Sequence, residues 1–154
     1  MASSSSYPTV SVVIPCYNPG FLLYRALRSV VRQTYPALEI IVVDDCSTDR
    51  SVELMKSYFP GVTFVQNAKN LGVSATRNHG AELASGEFLA FLDADDEWYR
   101  KKLENQVARM ISSSAEVSFT GFRDMRLSVR HWGRRPLSGK LSEVLVSGIP
   151  FNAS

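Results

Sequence analysis

The stretch that decides the fold is Phe88-Leu89-Ala90-Phe91-Leu92-Asp93-Ala94-Asp95-Asp96-Glu97-Trp98, in which an apolar run ends abruptly in four acidic residues. The apolar run has the composition of a fully buried strand. Open α/β folds bind their ligands at the carboxyl ends of such strands, and the acidic residues lie at that end here. We therefore expect the functional site at the carboxyl end of this strand.

The same pattern of a strand followed by a helix occurs four times along the chain. Strands are predicted over residues 9–14, 38–43, 62–65 and 88–92, and helices over about 18–33, 49–58, 73–84 and 99–111. A short fifth strand is predicted at residues 117–119. Each connection is long enough for consecutive strands to pair in parallel. The pattern predicts an α/β fold with an open, mostly parallel sheet, right-handed crossovers and helices on both faces.

Single residues within these helices give further expectations. Asn18 is a natural cap for the first helix, with Pro19 at the first helical position. Asp96 is expected to cap the helix after the acidic stretch, and Asp95 is the alternative. Gly80 inside the third helix costs about 1 kcal/mol relative to alanine, which predicts either that another element approaches it closely or that the helix is weak.

Length and composition describe one ordinary globular domain. The chain has 154 residues, is 45% hydrophobic and carries a formal net charge of +2, which gives no argument for binding nucleic acid. Its apolar runs are far shorter than the roughly 20 residues that span a bilayer, and its first residues lack the pattern of a signal peptide. We therefore expect a disordered tail at residues 1–8, one domain over residues 9–154 and a cytoplasmic setting. Cys16 and Cys46 are expected to be free thiols.

The regular pattern is lost after residue 120. Residues 121–135 are predicted to form a hairpin or an irregular excursion with a basic outer face, and residues 137–147 a short helix. The last residues, 148–154, contain apolar side chains and no terminal helix is predicted there. We therefore expect the fold to be incomplete at its C-terminal end.

Acidic residues follow two of the predicted strands, as Asp44-Asp45 and as Asp93-x-Asp95-Asp96. Parallel pairing would bring both groups to one edge of the sheet, where carboxylates repel one another unless a cation or hydrogen-bond donors balance them. Magnesium and manganese take one or two carboxylates and complete their shell with water and substrate phosphates. Asp93 and Asp95 are therefore the candidate metal ligands.

Further side chains are expected beside this edge. Tyr17 and Asn18 follow the first strand, where the Tyr17 ring is suited to stack on a base while Asp45 accepts a hydrogen bond from that base. Core packing is the alternative for Tyr17. Arg77 lies near the amide-rich end of the third helix and is expected to contact a phosphate, or else to form an ion pair with one of the acids.

Several common catalytic motifs are missing from the sequence. It contains no dinucleotide-binding glycine motif, P-loop or hydrolase nucleophile elbow. His79 and His131 have no acids or cysteines at metal-ligand spacing, so we expect both to be structural or surface residues. The acidic strand ends remain as the centre of the expected chemistry.

Four motifs together resemble the family 2 glycosyltransferases. They are Val12-Val13-Ile14-Pro15-Cys16-Tyr17-Asn18, Ile41-Val42-Val43-Asp44-Asp45-Cys46-Ser47-Thr48-Asp49, Asn70-Leu71-Gly72-Val73-Ser74-Ala75-Thr76-Arg77-Asn78 and Phe91-Leu92-Asp93-Ala94-Asp95-Asp96. Each motif is weak alone, but the four occur in the order and spacing of the family between residues 9 and 122. The resemblance implies a GT-A fold, with a nucleotide-binding half over residues 9–120 and the start of an acceptor half over residues 121–154.

The resemblance also implies site residues. Those expected to bind the nucleotide are Pro15, Tyr17, Asn18, Asp45, Arg77 and Asp93. Asp45 is expected to accept a hydrogen bond from the base, usually uracil, and Tyr17 to stack near it. Asp93 and Asp95 form the Asp-x-Asp motif, in which Asp93 contacts ribose or metal and Asp95 ligates Mn²⁺ or Mg²⁺ on the diphosphate. The general base is implied to lie on a later acidic segment, beyond Ser154.

The implied activity is the inverting, metal-dependent transfer of a sugar from a nucleotide-diphosphate sugar, usually a UDP-sugar. The implied acceptor is a sugar, lipid or polysaccharide in cell-envelope polysaccharide or glycoconjugate synthesis. Association with the inner face of the membrane and a homodimer stay open, and no nucleic acid partner is expected. The alternative is a non-catalytic nucleotide-sugar-binding fragment or assembly module. A receiver-like signalling domain is a third option, but it requires an aspartate where Val65-Gln66-Asn67 has none.

Overall fold

The structure is a computed structural model of the protein, and it describes residues 7–121. Within this range the strands are β1 (Val10–Cys16), β2 (Glu39–Asp44), β3 (Thr63–Gln66) and β4 (Phe88–Phe91). The helices that alternate with them are α1 (Leu22–Val31), α2 (Ser51–Tyr58), α3 (Val73–Leu83) and α4 (Lys102–Ser113). None of the described helices is long and apolar enough to cross a membrane.

The eight elements belong to one compact unit, which ends at Ser113. A second unit begins at Ser114, and the structure describes its residues 114–121, which form neither helix nor strand. The strand predicted at residues 117–119 is therefore wrong. A strand requires a neighbour with which its backbone groups can pair, and a short apolar run does not supply one. The features predicted beyond residue 121, and most of the predicted tail, lie outside the described residues.

The sheet is wholly parallel and has the order β3-β2-β1-β4. In its register Cys16 of β1 pairs with Asp44 of β2, and Val13 of β1 pairs with Phe91 of β4. The chain adds β2 and β3 on one side of β1 and then returns to add β4 on the other side. The strand order therefore reverses between β1 and β4, and open α/β sheets bind ligands at the carboxyl end of such a reversal.

Helices cover both faces of the central strands β1 and β2, as the sequence predicts. Val12 and Ile14 of β1 pack with buried side chains of α1, α2 and α4 on one face. Val13, which points to the opposite face, packs with Ile41 and Val43 of β2 on the side of α3. Because both of their faces are covered, β1 and β2 are almost continuously apolar. The predicted α/β class and the open parallel sheet are confirmed.

The edge strand β4 is less buried than the sequence predicts. Leu89 and Phe91 of β4 are 41% and 42% exposed, so the expectation that β4 is fully buried is wrong. An edge strand has a neighbour on one side only, and no described helix covers this face of β4.

Gly80 is the point at which α3 contacts the sheet. A Cβ atom at this position would lie 2.3 Å from Cγ1 of Val13 and 3.1 Å from Cγ2 of Val43. The close approach predicted from a glycine inside a helical pattern is confirmed. The missing side chain sets the depth at which α3 packs on β1 and β2.

The start of α4 is fixed by a distant side chain. The helix begins well after the acidic stretch, so the prediction that Asp96 or Asp95 caps it is wrong. The backbone N–H of Leu103 instead donates to Oε1 of Gln33, 3.0 Å away. A donor at a helix start is satisfied by any acceptor within reach. Here the acceptor belongs to a residue just after α1, 70 positions before Leu103, and not to a residue adjacent to α4.

Candidate functional site

The loops after β1 and β4 line a cavity at the carboxyl edge of the sheet, where the strand order reverses. Its volume is about 350 Å³. The lining residues are Pro15, Cys16, Tyr17, Asn18, Pro19, Leu22, Val73, Asp93, Ala94 and Asp95. The structure thus brings five of the predicted site residues into one cavity: Pro15, Tyr17, Asn18, Asp93 and Asp95.

Arg77 of α3 reaches this group through an ion pair. Its Nη2 atom donates a hydrogen bond to Oδ1 of Asp93, and the two side chains are 34% and 46% exposed. Water screens a pair that is exposed to this degree, so the guanidinium can exchange its partner at small cost. The ion pair is one of the two roles that the sequence leaves open for Arg77. Contact with a phosphate stays a prediction.

Asp95 and Asp96 differ in their position relative to the cavity. Asp95 lines it, whereas Asp96 is outside the lining, and the backbone N–H of Asp96 donates a hydrogen bond of 3.0 Å to the carbonyl of Asp93. Burial raises the pKa of the Asp96 carboxyl, and the charges of Asp95 and Asp93 raise this pKa further. The acidic turn is therefore a region of concentrated negative charge, which favours binding of a cation.

The donor set of the cavity fits a divalent ion that is shared with a ligand. Asp93 and Asp95 supply carboxylate oxygens, which magnesium and manganese prefer. Among residues 7–121, no group of three or more His, Cys, Asp or Glu side chains is arranged to hold a metal ion by itself. Two carboxylates are enough when water and phosphate oxygens complete the shell. The residues present thus fit a metal bound together with a phosphate.

Asp45, at the carboxyl end of β2, is buried and bonded to the loop that leads into α3. Its carboxylate accepts hydrogen bonds from Nδ2 of Asn67 and from the backbone N–H groups of Leu71 and Gly72, each 2.8 Å long. Burial raises the pKa of Asp45, but these hydrogen bonds outweigh burial and hold the pKa below its usual value. The carboxylate is therefore ionised and fixed at the amino end of α3. Its predicted contact with a base stays a prediction.

Asn18 joins the loop after β1 to the loop after β2. Its backbone is left-handed, with φ +47°, and its Oδ1 accepts from the N–H groups of Thr48 and Asp49 at 2.7 and 3.1 Å. Its own N–H donates to Oγ of Ser47 at 2.8 Å. The prediction that Asn18 caps α1 is wrong, because its side chain bonds this second loop and α1 begins further along the chain with no side-chain cap. Asn18 instead fixes the loop that carries Tyr17.

The two residues before Asn18 differ in exposure. Tyr17 is 53% exposed, so its ring is free to pack on a ligand in the cavity. Cys16 is buried, and burial together with the charge of Asp44 raises the pKa of its thiol to about 12. Cys16 and Cys46 are both free thiols, as predicted. The Cys16 thiol therefore stays neutral and contributes packing to the cavity wall.

Asn67 was not among the predicted site residues, yet it lies at the centre of the network around Asp45. It is 5% exposed, and its Nδ2 donates to Asp45 and to Oγ1 of Thr76, while its Oδ1 lies 2.7 Å from Nδ1 of His79. Asn67 directly follows β3, as Asp45 follows β2. The rule that selects acids at the carboxyl ends of strands would have found Asn67 if it had included amides.

Comparison of the sequence with known proteins identifies its family. The family model described as Glycosyl transferase family 2 matches residues 11–150. TuaG of Bacillus subtilis, a glycosyltransferase assigned to teichuronic acid biosynthesis, is 39% identical over 118 residues, or 75% of this chain. The Escherichia coli protein named UDP-Glc:alpha-D-GlcNAc-diphosphoundecaprenol beta-1,3-glucosyltransferase WfgD is 32% identical over 114 residues, or 73% of this chain. The chain spans less than half the length of both relatives, 47% and 45%.

Solved structures share the same fold. S. aureus TarS 1–349 in complex with UDP superposes with a TM-score of 0.63 and 31% identity, over 68% of this chain and 32% of that chain. Mannosyltransferase PcManGT from Pyrobaculum calidifontis, in complex with GDP-Man and Mn²⁺, superposes with a TM-score of 0.65 and 30% identity, over 69% of this chain and 33% of that chain. These matches confirm the resemblance carried by the four motifs. The chain belongs to glycosyl transferase family 2 and has the GT-A fold of its structural neighbours.

Proposed function

We propose that the chain forms the donor-binding part of a glycosyltransferase that transfers a sugar from a UDP-sugar, with inversion, in cell-envelope polysaccharide synthesis. The observation that carries the proposal is the cavity of about 350 Å³ in which Tyr17, Asp93 and Asp95 lie together. An aromatic ring stacks on a nucleobase, and paired carboxylates bind a metal ion that also contacts phosphates. These are the groups that a nucleotide diphosphate with its metal requires.

Uridine is the nucleoside that the comparisons favour. TarS was solved with UDP and with UDP-GlcNAc, and the name of WfgD specifies UDP-Glc. In the proposal Tyr17 stacks on uracil, Asp45 accepts a hydrogen bond from it, and Pro15 and Asn18 shape the cavity wall. An ionised carboxylate is a strong acceptor for an N–H group, which supports the role given to Asp45.

The diphosphate is assigned to the acidic turn. Asp95 would hold Mn²⁺ or Mg²⁺, Asp93 would contact the ribose or the same ion, and Arg77 would exchange its ion pair with Asp93 for a phosphate. The presence of Mn²⁺ with GDP-Man in PcManGT supports a divalent ion. When bound, this ion neutralises the charge that develops on the leaving diphosphate.

The proposed reaction is a direct displacement at the anomeric carbon. The acceptor oxygen forms its bond to that carbon as the bond to the diphosphate oxygen breaks, and a carboxylate base takes the hydroxyl proton. Asp93 and Asp95 are the carboxylates that line the cavity, and both are assigned to the donor. We therefore place the general base outside residues 7–121, in agreement with the later acidic segment that the family resemblance implies.

A lipid-linked sugar is the proposed acceptor. The name of WfgD specifies GlcNAc-diphosphoundecaprenol, in which a long polyprenol carries the accepting sugar. Such a chain stays in the membrane, so the transfer is proposed to take place at its cytoplasmic face. The alternative function is a nucleotide-sugar-binding module without transferase activity. It is supported by the assignment of both cavity carboxylates to the donor, because neither is then left to act as the general base.

Proton NMR of the chain with UDP-glucose or UDP-GlcNAc and Mg²⁺ distinguishes these functions, because it detects both binding and release of UDP. We expect saturation transfer from the protein to the uridine protons. Without an added acceptor the sugar is transferred to water, and release of UDP by this hydrolysis, if Asp95→Ala abolishes it, would support the transferase. Binding without release would support the module, and no binding of either sugar nucleotide would contradict both.

A further inference from the structure

His79 is connected to Asp45 through a single side chain. Nδ1 of His79 lies 2.7 Å from Oδ1 of Asn67, and Nδ2 of Asn67 donates to Oδ1 of Asp45 at 2.8 Å. Asn67 is 5% exposed, so water does not compete for its amide. The three side chains form a continuous series of hydrogen bonds from α3 to the carboxyl end of β2.

The neighbours of Asn67 determine which way its amide faces. The ionised Asp45 carboxylate only accepts hydrogen bonds, so the amide nitrogen must face it. The second amide N–H donates to Oγ1 of Thr76 at 3.2 Å, and the Thr76 hydroxyl donates to the carbonyl of Gly72 at 2.8 Å. The amide oxygen is left facing His79, and it also only accepts. Nδ1 of His79 must therefore carry a proton.

Loss of this proton donor would affect Asp45 indirectly. The buried amide oxygen of Asn67 would then have no donor, and burying an unpaired acceptor is unfavourable. Rotation of the amide would relieve that cost but would turn its oxygen toward the Asp45 carboxylate. The backbone N–H groups of Leu71 and Gly72 would still hold Asp45, so the fold would be retained. Without the donor from Asn67, the direction of the Asp45 carboxylate would change.

We infer that His79 is a positioning residue that, through Asn67, directs the Asp45 carboxylate and thereby sets a preference for uridine over cytidine nucleotides. The inference rests on the proposed function, in which Asp45 accepts a hydrogen bond from the base. Uracil carries a hydrogen on N3 and cytosine does not. A carboxylate held in a fixed direction therefore favours uracil.

The first test needs no nucleotide. Nitrogen-15 NMR of the native chain at pH 8 reports which ring nitrogen of a neutral histidine carries the proton, and the chain has two histidines, so His79→Asn identifies the signals. We expect the Nδ1–H tautomer for His79. A proton on Nε2 with Nδ1 bare would overturn the inference without involving the proposed function.

The second test compares the dissociation constants of UDP and CDP for the native chain, His79→Ala and His79→Asn. The asparagine amide nitrogen occupies nearly the place of Nδ1 and keeps a donor. We expect His79→Ala to reduce the preference for UDP over CDP by about fivefold, which corresponds to the loss of one well-directed hydrogen bond. We expect His79→Asn to retain the preference. Thermal unfolding of each variant checks that it is folded.

The outcomes separate the two proposals. If His79→Ala weakens the binding of UDP and of CDP equally, the preference is unchanged and His79 is merely structural. That result would overturn the inference while the proposed function stands. If the native chain binds neither nucleotide, the proposed function fails and the inference fails with it.

Discussion

Gly80 is the residue through which α3 packs on the sheet, and its replacement tests that contact. The added methyl group of Gly80→Ala would meet Val13 and Val43 at 2.3 and 3.1 Å. Overpacking typically costs 1–3 kcal/mol, and the better helix propensity of alanine offsets about 1 kcal/mol of it. The net cost is then about 0–2 kcal/mol. Because the contact with Val13 is far inside van der Waals distance, we expect the upper part of this range, so that urea denaturation shows a free energy of unfolding lower by about 1–2 kcal/mol.

Gly61→Ala is the matched control, because a Cβ atom there meets nothing within 4 Å and the backbone has no positive φ. Gly61→Ala should change the free energy of unfolding by no more than about 0.5 kcal/mol. Equal effects of the two substitutions would show that α3 does not depend on the close approach at Gly80.

The sequence predicts those site residues that lie close to the carboxyl end of a strand, because the strand then decides where they are placed. Asp93, Asp95 and Tyr17 follow strands directly, and the structure places all three in one cavity. The prediction that Asn18 caps α1 is wrong, and no site role is predicted for Asn67 from the sequence, because both side chains bond partners in other loops. The oxygen of Asn18 bonds a loop about 30 residues away, and no local pattern contains that information.

At the scale of the elements, α4 depends on Gln33. The Gln33 side chain accepts from the N–H of Leu103 at 3.0 Å and donates to the carbonyls of Tyr99 and Ser29 at 2.9 and 3.0 Å. Gln33→Ala leaves the first turn of α4 without this acceptor. We expect a free energy of unfolding lower by about 1–2 kcal/mol, and faster hydrogen exchange of the α4 amides.

Arg32→Ala is the control, because Arg32 is an exposed neighbour of Gln33. It should leave the hydrogen exchange of the α4 amides unchanged. If the α4 amides exchange at the native rate in Gln33→Ala, the helix start is held by other groups and the account of α4 is wrong.

Strand positions followed from the sequence more closely than helix starts did. The β2 strand was predicted over residues 38–43 and spans Glu39–Asp44, because buried β-branched residues mark a central strand wherever it lies. The sequence predicts that the first helix begins at Pro19, whereas it begins at Leu22. Helix starts depend on which acceptors satisfy the first N–H groups, and those acceptors come from elsewhere in the fold.

At the scale of the whole molecule, three carboxyl groups among the described residues have lowered pKa values. The Ser11 hydroxyl, with the backbone and side chain of Ser85, lowers the pKa of Glu39 against the effect of burial. Burial raises the pKa values of Asp45 and Asp49, but their hydrogen bonds outweigh burial and the net shift is downward. Each group thus holds its proton less tightly in the folded state than in the unfolded chain.

Stability should therefore fall in acid. These groups contribute fully to the free energy of unfolding above the pKa values of the unfolded chain, about 4. The contribution is lost as the pH falls through the lower pKa values of the folded state. The raised pKa of Asp96 acts in the opposite direction, but it is one group against three. We expect the free energy of unfolding in urea to decrease steadily from pH 5 to about pH 3.

Glu39→Gln should reduce this pH dependence, because it removes one of the three groups whose pKa is lowered. A stability that stays constant or rises between pH 5 and about pH 3 would contradict the assignment of these hydrogen bonds.

The fold class was predictable from the alternation of strands and helices, but the strand order was not. Alternation implies parallel pairing without stating on which side of β1 the last strand joins. In the structure Gly86, before β4, donates its N–H to Oγ of Ser11 at 2.8 Å, and a Cβ atom at Gly86 would lie 2.6 Å from the Ser11 nitrogen. This contact between residues 75 positions apart lies at the start of the pairing between β1 and β4.

The central claim is that this cavity binds a nucleoside diphosphate together with a divalent ion held by Asp95. Calorimetric titration of UDP, with and without Mn²⁺, tests it on the native chain, on Asp95→Ala and on Asp96→Ala, a control that removes the neighbouring carboxylate outside the cavity lining. We predict that Mn²⁺ strengthens UDP binding by about tenfold or more in the native chain and in Asp96→Ala, a gain of about 1.4 kcal/mol that Asp95→Ala loses. Binding of UDP that does not depend on the metal in the native chain, or that keeps its metal dependence in Asp95→Ala, would contradict the claim.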